Sequence, residues 1–417
     1  MMQSGAILAM MATCSSAFVL PQASFNRLPT AASSATRAAS SLRMAEEPLG
    51  VGVIGCGRIG DIHAKTLAFR TPGAKLVAVS DIFEEAGARV VEGCNGLPKF
   101  YKDWKEMVHD PEVGAIVVGS PTPFHAEQII EAAKLGKHIF CEKPISFDVP
   151  TIDVALKAVA DNDVKLLLGF QRRFDSNFRT IREKINEGTI GDVRTIHITS
   201  RDPAPPPVAY LQNSGGIFMD MTSHDFDMAR FLVGDEIDEV FVSATAFDPE
   251  AKEADDFDTA NTHLKFKNGA FGVIENSRRC SFGYDQRVEV FGAGGSISGA
   301  NRSPQNVLVN NEDGLNAGGC NSVAAELLIT GKWTKVGIPT PFSDKSVPYS
   351  FFLDRYADSY VNIMSAFVKY VKTGDESLEP ALGIDGKVTI FIGMAAARSV
   401  KEGRPVKISE IAAEFGC

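Results

Sequence analysis

Val51-Gly52-Val53-Ile54-Gly55-Cys56-Gly57-Arg58-Ile59-Gly60 is followed, after the apolar run Lys75-Leu76-Val77-Ala78-Val79-Ser80, by an acidic residue at Asp81. A short strand empties into GxGxxG, a helical run containing Ile62-His63-Ala64-Lys65-Thr66-Leu67 follows, and an acid closes a second strand. That is the βαβ arrangement that holds a dinucleotide. Gly55 permits the tight turn, Gly57 lets the backbone approach a pyrophosphate, and Gly60 lets the helix lie close to the sheet. The helix start, at Arg58 and Ile59, then turns N–H groups toward the phosphates. Asp81 lies about 20 residues beyond the last glycine, where a carboxylate accepts both ribose hydroxyls. A 2′-phosphate would meet this charge, and Ile82, Phe83 and Glu84 supply no arginine to offset it, so NAD is expected rather than NADP.

Working outward, residues 50 to about 170 alternate short apolar strands (50–54, 75–80, 115–120, 138–141 and 164–169) with helical stretches. The pattern predicts a doubly wound parallel sheet of the Rossmann type, the NAD-binding domain, over 48–170. The loop Ser120-Pro121-Thr122-Pro123 falls at the carboxyl edge of that sheet, where open α/β folds hold ligands, which makes Ser120 and Thr122 candidate cofactor contacts. After Phe170 the texture changes to a helix over 176–187, an extended segment over 193–200 and a Pro-rich loop at 203–207. A helix after Gly216 and alternating segments at 239–246, 259–266, 270–277, 287–291 and 296–299 follow. Turn signals such as Lys267-Asn268-Gly269 favour an antiparallel meander. Residues 171–417 are therefore expected to form a substrate-binding and oligomerisation domain of α+β class, built on a mostly antiparallel, open-faced sheet.

The first 45 residues contain no Asp or Glu and three arginines, with abundant Ala and Ser, the composition of a targeting presequence. The short apolar run 6–12, then Ser15-Ser16-Ala17-Phe18 and a basic, Ser-rich stretch, resemble the bipartite presequences of algae with complex plastids. A plastid destination is the leading expectation, with mitochondrion or cytoplasm as alternatives. A net charge of −10 argues against a nucleic-acid or anionic-membrane partner, and no apolar run is long enough to cross a bilayer. Seven scattered cysteines without a CxxC pair read as free thiols, and no metal site is expected.

Two constellations could carry chemistry. His138-Ile139-Phe140-Cys141 empties into Glu142-Lys143-Pro144, which puts a lysine at the sheet edge beside the cofactor, with Glu142 adjacent. Pro144 stiffens this turn, and its peptide bond can be trans or cis. The second is Gly215-Gly216-Ile217-Phe218-Met219-Asp220-Met221-Thr222-Ser223-His224. If the stretch from Met219 is helical, Asp220 and His224 are i and i+4 and share a face, so that the carboxylate orients an imidazole able to act as general base. An N-terminal helix acid and an ordinary buried histidine are the structural alternatives. Arg172, Arg173, Asp227 and Tyr284 are further candidates that could touch a polyol or form structural pairs.

Taken with Phe124-His125, the run Gly169-Phe170-Gln171-Arg172-Arg173-Phe174-Asp175 and Asp220-x-x-x-His224, these motifs resemble the glucose-fructose oxidoreductase and inositol dehydrogenase family (Gfo/Idh/MocA). Within it the likeness is greatest to inositol 2-dehydrogenases of bacterial type. The resemblance implies NAD-dependent oxidation of a secondary alcohol of a cyclitol or sugar, foremost myo-inositol to its 2-ketone. Lys143, Asp220 and His224 would hold the reacting hydroxyl, with Arg172 and Tyr284 as further substrate contacts. It also implies a homo-oligomer, commonly a tetramer, packed through the open sheet face. Another sugar or polyol dehydrogenase, an NAD-dependent glycosidase and a non-catalytic NAD-binding sensor remain open. Gln171 and the loop around Ala204–Val208, Tyr210 and Asn213 depart from the family pattern.

Overall fold

The computed structural model describes residues 47–301, Phe282 apart, and 352–417, together with short strands between 307 and 335. The presequence read in residues 1–45 lies outside the described residues. Six strands, β1 (Leu49–Ile54), β2 (Ala74–Ser80), β3 (Lys99–Tyr101), β4 (Ala115–Val118), β5 (His138–Cys141) and β6 (Leu166–Leu168), form one sheet in the order β3-β2-β1-β4-β5-β6. Every pairing in it is parallel. Strands such as Ala115-Ile116-Val117-Val118 are buried on both faces, which is why they read as unbroken apolar runs rather than alternating ones. The order reverses between β1 and β4, and the crevice beyond their carboxyl ends is the place such a sheet offers a ligand.

The second sheet is mixed. Its strands β7 (Val193–Arg201), β8 (Ile237–Thr245), β9 (Thr259–Phe266), β10 (Phe271–Ser277), β11 (Asp285–Gly292), β12 (Gly295–Gly299), β13 (Val307–Asn311) and β14 (Gly314–Ala317) take the order β14-β13-β12-β11-β7-β10-β9-β8, closed by Val406–Lys407. Only β7 and β10 run parallel. Burial alternates along β9 and β10, so one face is covered and the other open. The helices Thr222–Val233 and Gly383–Glu402 pack on the covered face.

The carboxyl-terminal part of the chain does not stay with the second sheet. The amphipathic segment expected after Asp354 forms helix Ala357–Thr373, and its Ile363, Met364 and Phe367 join Val51, Val53, Val117 and Phe140 in the core of the first domain. Phe367 is fully buried and meets Phe140 edge-on, ring centroids 5.8 Å apart. The chain thus crosses back to seal the domain with which it began. Replacing Phe367 by Ala should lower the free energy of unfolding by about 3–5 kcal/mol in chemical denaturation, whereas a loss under about 1 kcal/mol would remove this helix from that core.

Candidate active site

The glycine turn has the form its sequence requires. Gly55 sits at φ +90°, and a Cβ on Gly60 would come within 1.7 Å of the Gly55 carbonyl oxygen, so the helix Arg58–Phe69 can approach the turn only without a side chain there. A Cβ on Gly57 would meet nothing within 4 Å, which leaves this stretch of backbone open to a ligand. No side chain caps the helix start at Gly57. Asp81 is fixed at the end of β2: one carboxylate oxygen accepts the Cys56 N–H at 2.7 Å and the other the Phe83 N–H at 2.9 Å. The turn is held from its other side by Arg89, which donates to the Cys56 carbonyl at 2.7 Å. An open turn, a helix start without a side-chain cap and an anchored carboxylate at the second strand end fit a dinucleotide. Ser120 donates to Gln128 at 2.7 Å and Thr122 opens a single 3₁₀ turn, both at the carboxyl edge of β4.

Glu142 has a partner within the protein. Its carboxylate meets Nε2 of His63 at 2.7 Å, and His63 is completely buried on the helix Arg58–Phe69. A side chain at Gly169 would collide with that carboxylate at 2.6 Å. One oxygen of the Glu142 carboxylate thus ties the first helix to the turn that carries Lys143. The Lys143–Pro144 peptide bond is cis.

Lys143 reaches across to the second domain, where Nζ donates to the backbone carbonyl of Asp220 at 2.9 Å and lies 3.7 Å from its Oδ1. This contact alters the helix that the spacing predicts. In an unbroken helix the Asp220 carbonyl would accept the His224 N–H. Here it accepts Lys143 and, at 3.1 Å, the Ser223 hydroxyl, while the His224 N–H goes to Met221 at 3.3 Å. One helix ends at Asp220 and the next begins at Thr222. The Asp220 carboxylate faces Tyr210, whose hydroxyl donates at 2.9 Å, and Arg278, which donates at 3.1 Å.

His224 is consequently not held by Asp220. Its Nδ1 is buried with no hydrogen-bond partner, and its ring meets Phe170 edge-on at 6.0 Å. Burial, and then the positive charges of Lys143 and Arg172, keep its pKa well below the usual imidazole value, so the ring is neutral around pH 7. The ammonium, the carboxylate and the imidazole nevertheless converge as the sequence suggested. It is the link between the last two that differs.

Arg172 and Arg173 part ways. Arg172 pairs with buried Asp225, stacks on the Tyr356 ring at 5.6 Å, and lies 3.5 Å from the hydroxyl of Tyr284. Arg173 binds Asp227 through two hydrogen bonds of 2.8 and 2.5 Å and reaches Asp385 at 3.2 Å, a structural cluster remote from Lys143 in its partners. Of the further candidates, Arg173 and Asp227 are scaffold. Arg278 and Asp202 are polar groups of the site that the sequence reading passed over, because it ended strands β7 and β10 before them. Extending the alternation by one step would have put both on the covered face.

An anchored acid at the end of the second strand, and a lysine, carboxylate and neutral imidazole meeting at the carboxyl edge of the sheet, fit a dinucleotide-dependent oxidoreductase. Comparison with known proteins makes this specific. The family profile "Oxidoreductase family, NAD-binding Rossmann fold" matches residues 49–170 and "GFO/IDH/MocA C-terminal domain" matches 178–298. A myo-inositol 2-dehydrogenase of Thermotoga maritima is 43% identical over 87% of this chain and 99% of its own, and an inositol 2-dehydrogenase of Rhizobium meliloti is 39% identical over 86% and 98%. The crystal structure of Lactobacillus casei scyllo-inositol dehydrogenase with NAD(H) and scyllo-inositol superposes with a TM-score of 0.71 at 26% identity, covering 87% of this chain and all of that one. The protein belongs to the Gfo/Idh/MocA family, and is an NAD-dependent oxidoreductase of inositol dehydrogenase type.

Asp81→Ala should weaken NAD binding by about 10- to 100-fold, the loss of charge-assisted hydrogen bonds, while NADP binding improves as the repulsion of its 2′-phosphate is removed. Fluorescence titration with NADH and NADPH reads both, and an unchanged preference would remove Asp81 from the ribose site.

Proposed function

We propose that the protein oxidises myo-inositol at its C2 secondary hydroxyl to the 2-ketone. The observation that carries this reading is the convergence of Lys143, Asp220 and His224 across the two domains, joined at the Lys143–Asp220 contact. The names of the relatives, which act on myo- and scyllo-inositol, support the same substrate class.

When bound, NAD supplies the acceptor for the hydride. The chain's own part is to hold the alcohol and move its proton. Neutral His224 accepts the hydroxyl proton at Nε2, the ring nitrogen that is not buried without a partner. Lys143 donates a hydrogen bond to the oxygen as negative charge develops on it, and Asp220 keeps the ammonium in place through its carbonyl and carboxylate. Gly55, Gly57, Arg58 and Ile59 at the turn, Asp81 at the second strand end, and Ser120 and Thr122 at the β4 edge hold the dinucleotide in this reading. Arg172 and Tyr284 line the far side of the alcohol site.

A second copy of this chain is the partner we assign to the open sheet face, where Phe241, Phe271 and Phe291 are exposed on outward positions of β8, β10 and β11. Residues 1–45 we assign to plastid targeting on their composition.

Full-length protein incubated with NAD and a panel of inositol isomers and aldoses should form NADH fastest with myo-inositol. His224→Ala should lower kcat/KM by about 10²- to 10⁴-fold with NAD affinity retained, and turnover left intact would refute the base assignment. Because protonation stops a base, and this imidazole protonates only well below its usual pH, kcat for the wild type should stay level as pH falls through 6.5. A kcat limb centred at 6.5 would contradict a desolvated His224. Release of sugar from an aryl glycoside without NADH accumulation would point instead to a glycosidase.

A further inference from the structure

The peptide that carries Lys143 has little backbone to hold it. The ladder of the parallel sheet reaches Glu142, whose N–H donates to the Val118 carbonyl at 2.9 Å, while the Gly169 N–H donates to the Cys141 carbonyl at 2.8 Å. Beyond that point no backbone–backbone hydrogen bond reaches Lys143 or Pro144 among the described residues, and Pro144 has no N–H to give. Such a strand end must take its position from side chains. Two buried histidines supply them. On one side Nε2 of His63 meets the Glu142 carboxylate at 2.7 Å. Nδ1 of that ring is buried without a partner, so the proton belongs on Nε2 and this is the ring's one hydrogen bond. The His63 ring is wedged edge-on against Phe140 at 5.0 Å and Tyr360 at 5.8 Å. On the other side lies His125, also buried, with Nδ1 2.8 Å from the Pro144 carbonyl oxygen and Nε2 2.7 Å from that of Ser120.

The residues on either side of Lys143 are therefore gripped, and the lysine stands between them. Each grip comes from an element placed for another purpose. His63 lies on the helix Arg58–Phe69, whose uncapped start follows the glycine turn, and His125 opens the helix His125–Lys134 directly after the loop that holds Ser120 and Thr122. The two regions suited to a dinucleotide are thus the two that hold the lysine turn. The Glu142 carboxylate is packed as well as bonded, since a Cβ at Gly169 would stand 2.6 Å from its Oε2. Among the described residues neither ring bonds to the ammonium itself, which goes to Asp220, so both act through the peptide.

We propose that His63 and His125 are positioning residues for Lys143, fixing the turn between them so that the ammonium stays aligned with a dinucleotide seated on the same two strand-end regions. The inference rests on the reading in which Lys143 stabilises the oxygen of the departing proton, and deepens it. A lysine is a point charge on a flexible stem, so its aim depends on where its backbone is held. Asp220 holds the ammonium, and the histidines hold the root. A displacement of about 1 Å at such a group costs about 100-fold in rate. The two rings use different nitrogens toward the turn, Nε2 at His63 and Nδ1 at His125. A glutamine amide places its N–H where Nε2 stood, and an asparagine amide where Nδ1 stood, so the substitution that preserves each grip differs between the two positions.

The test is steady-state kinetics of the full chain with NAD and myo-inositol, plain and deuterated at C2, for H63Q, H63N, H125N and H125Q. H63N should lower kcat and kcat/KM together by about 10- to 100-fold, with KM for myo-inositol and NADH affinity within about twofold of wild type, the signature of an interaction made only in the transition state. H63Q should keep kcat within about threefold, a smaller loss than that of H63N. At position 125 the order should reverse, with H125N the better enzyme. In the slow variants the isotope effect on kcat should rise, because hydride transfer then limits turnover. Equal losses for the two amides, rescue by the opposite amide at either position, or a loss confined to KM, in variants with wild-type melting temperature and NADH affinity, overturns the assignment while wild-type turnover leaves the polyol reading standing. A wild type that reduces NAD with no polyol overturns both. Should the histidine variants fail to fold, G169A decides: it presses a Cβ against the Glu142 carboxylate with both rings intact and should lower kcat at unchanged NADH affinity, and a G169A enzyme with wild-type kcat defeats the proposal.

Discussion

The bond from Lys143 Nζ to the Asp220 carbonyl is the constraint on which the rest of the site depends. It is the direct link between the edge of the parallel sheet, where the dinucleotide belongs, and the helices that carry the imidazole. It also draws on a backbone acceptor that helix geometry would otherwise have used. With that carbonyl bound by Lys143 and by the Ser223 hydroxyl, Asp220 stands outside the helix of His224 and its carboxylate faces Tyr210 and Arg278.

Electrostatics follow from that geometry. His224 is left without a carboxylate partner, buried and close to two cations, and each of these effects favours the neutral ring. A base held by a carboxylate would be more basic but would also be protonated at higher pH. A desolvated one is available over a wider pH range, at the cost of lower basicity, and in the proposed reaction the lysine beside it would compensate by stabilising the oxygen as the proton departs.

Much of this was legible in the chain. The glycine turn, Asp81 and the parallel sheet follow from spacing and apolar runs because local rules govern them, and both Lys143 and His224 were singled out by position. The Asp220–His224 link was misread because i,i+4 spacing assumes an uninterrupted ladder, and the group that interrupts it lies 77 residues away in sequence. The contact of Glu142 with His63 escaped the sequence for a similar reason, since His63 stood inside what looked like an ordinary amphipathic helix. The return of helix Ala357–Thr373 to the first domain could not be foreseen either, because an apolar stripe states that it must be covered and not by what. Asp202 and Arg278 were within reach, one residue beyond strands whose alternation already named their face.

The paired arginines show how the chain fixes the helix of His224 with charge. Residues 171–174 form a single 3₁₀ turn, so neighbouring side chains diverge, and Arg172 and Arg173 find Asp225 and Asp227 on the same helix. These two acids flank Phe226, whose side chain is fully buried in the core. The helix that begins just before His224 is thus held by one ion pair toward the site and another toward the scaffold, where Asp385 and Arg230 extend the cluster. Buried pairs of this kind contribute little net stability, since desolvation offsets much of the attraction, yet losing one partner costs about 3–5 kcal/mol because the other charge is stranded. That asymmetry is what placement requires: small displacements of the helix are resisted from both sides, and the imidazole keeps its position beside Lys143 without any hydrogen bond of its own at Nδ1.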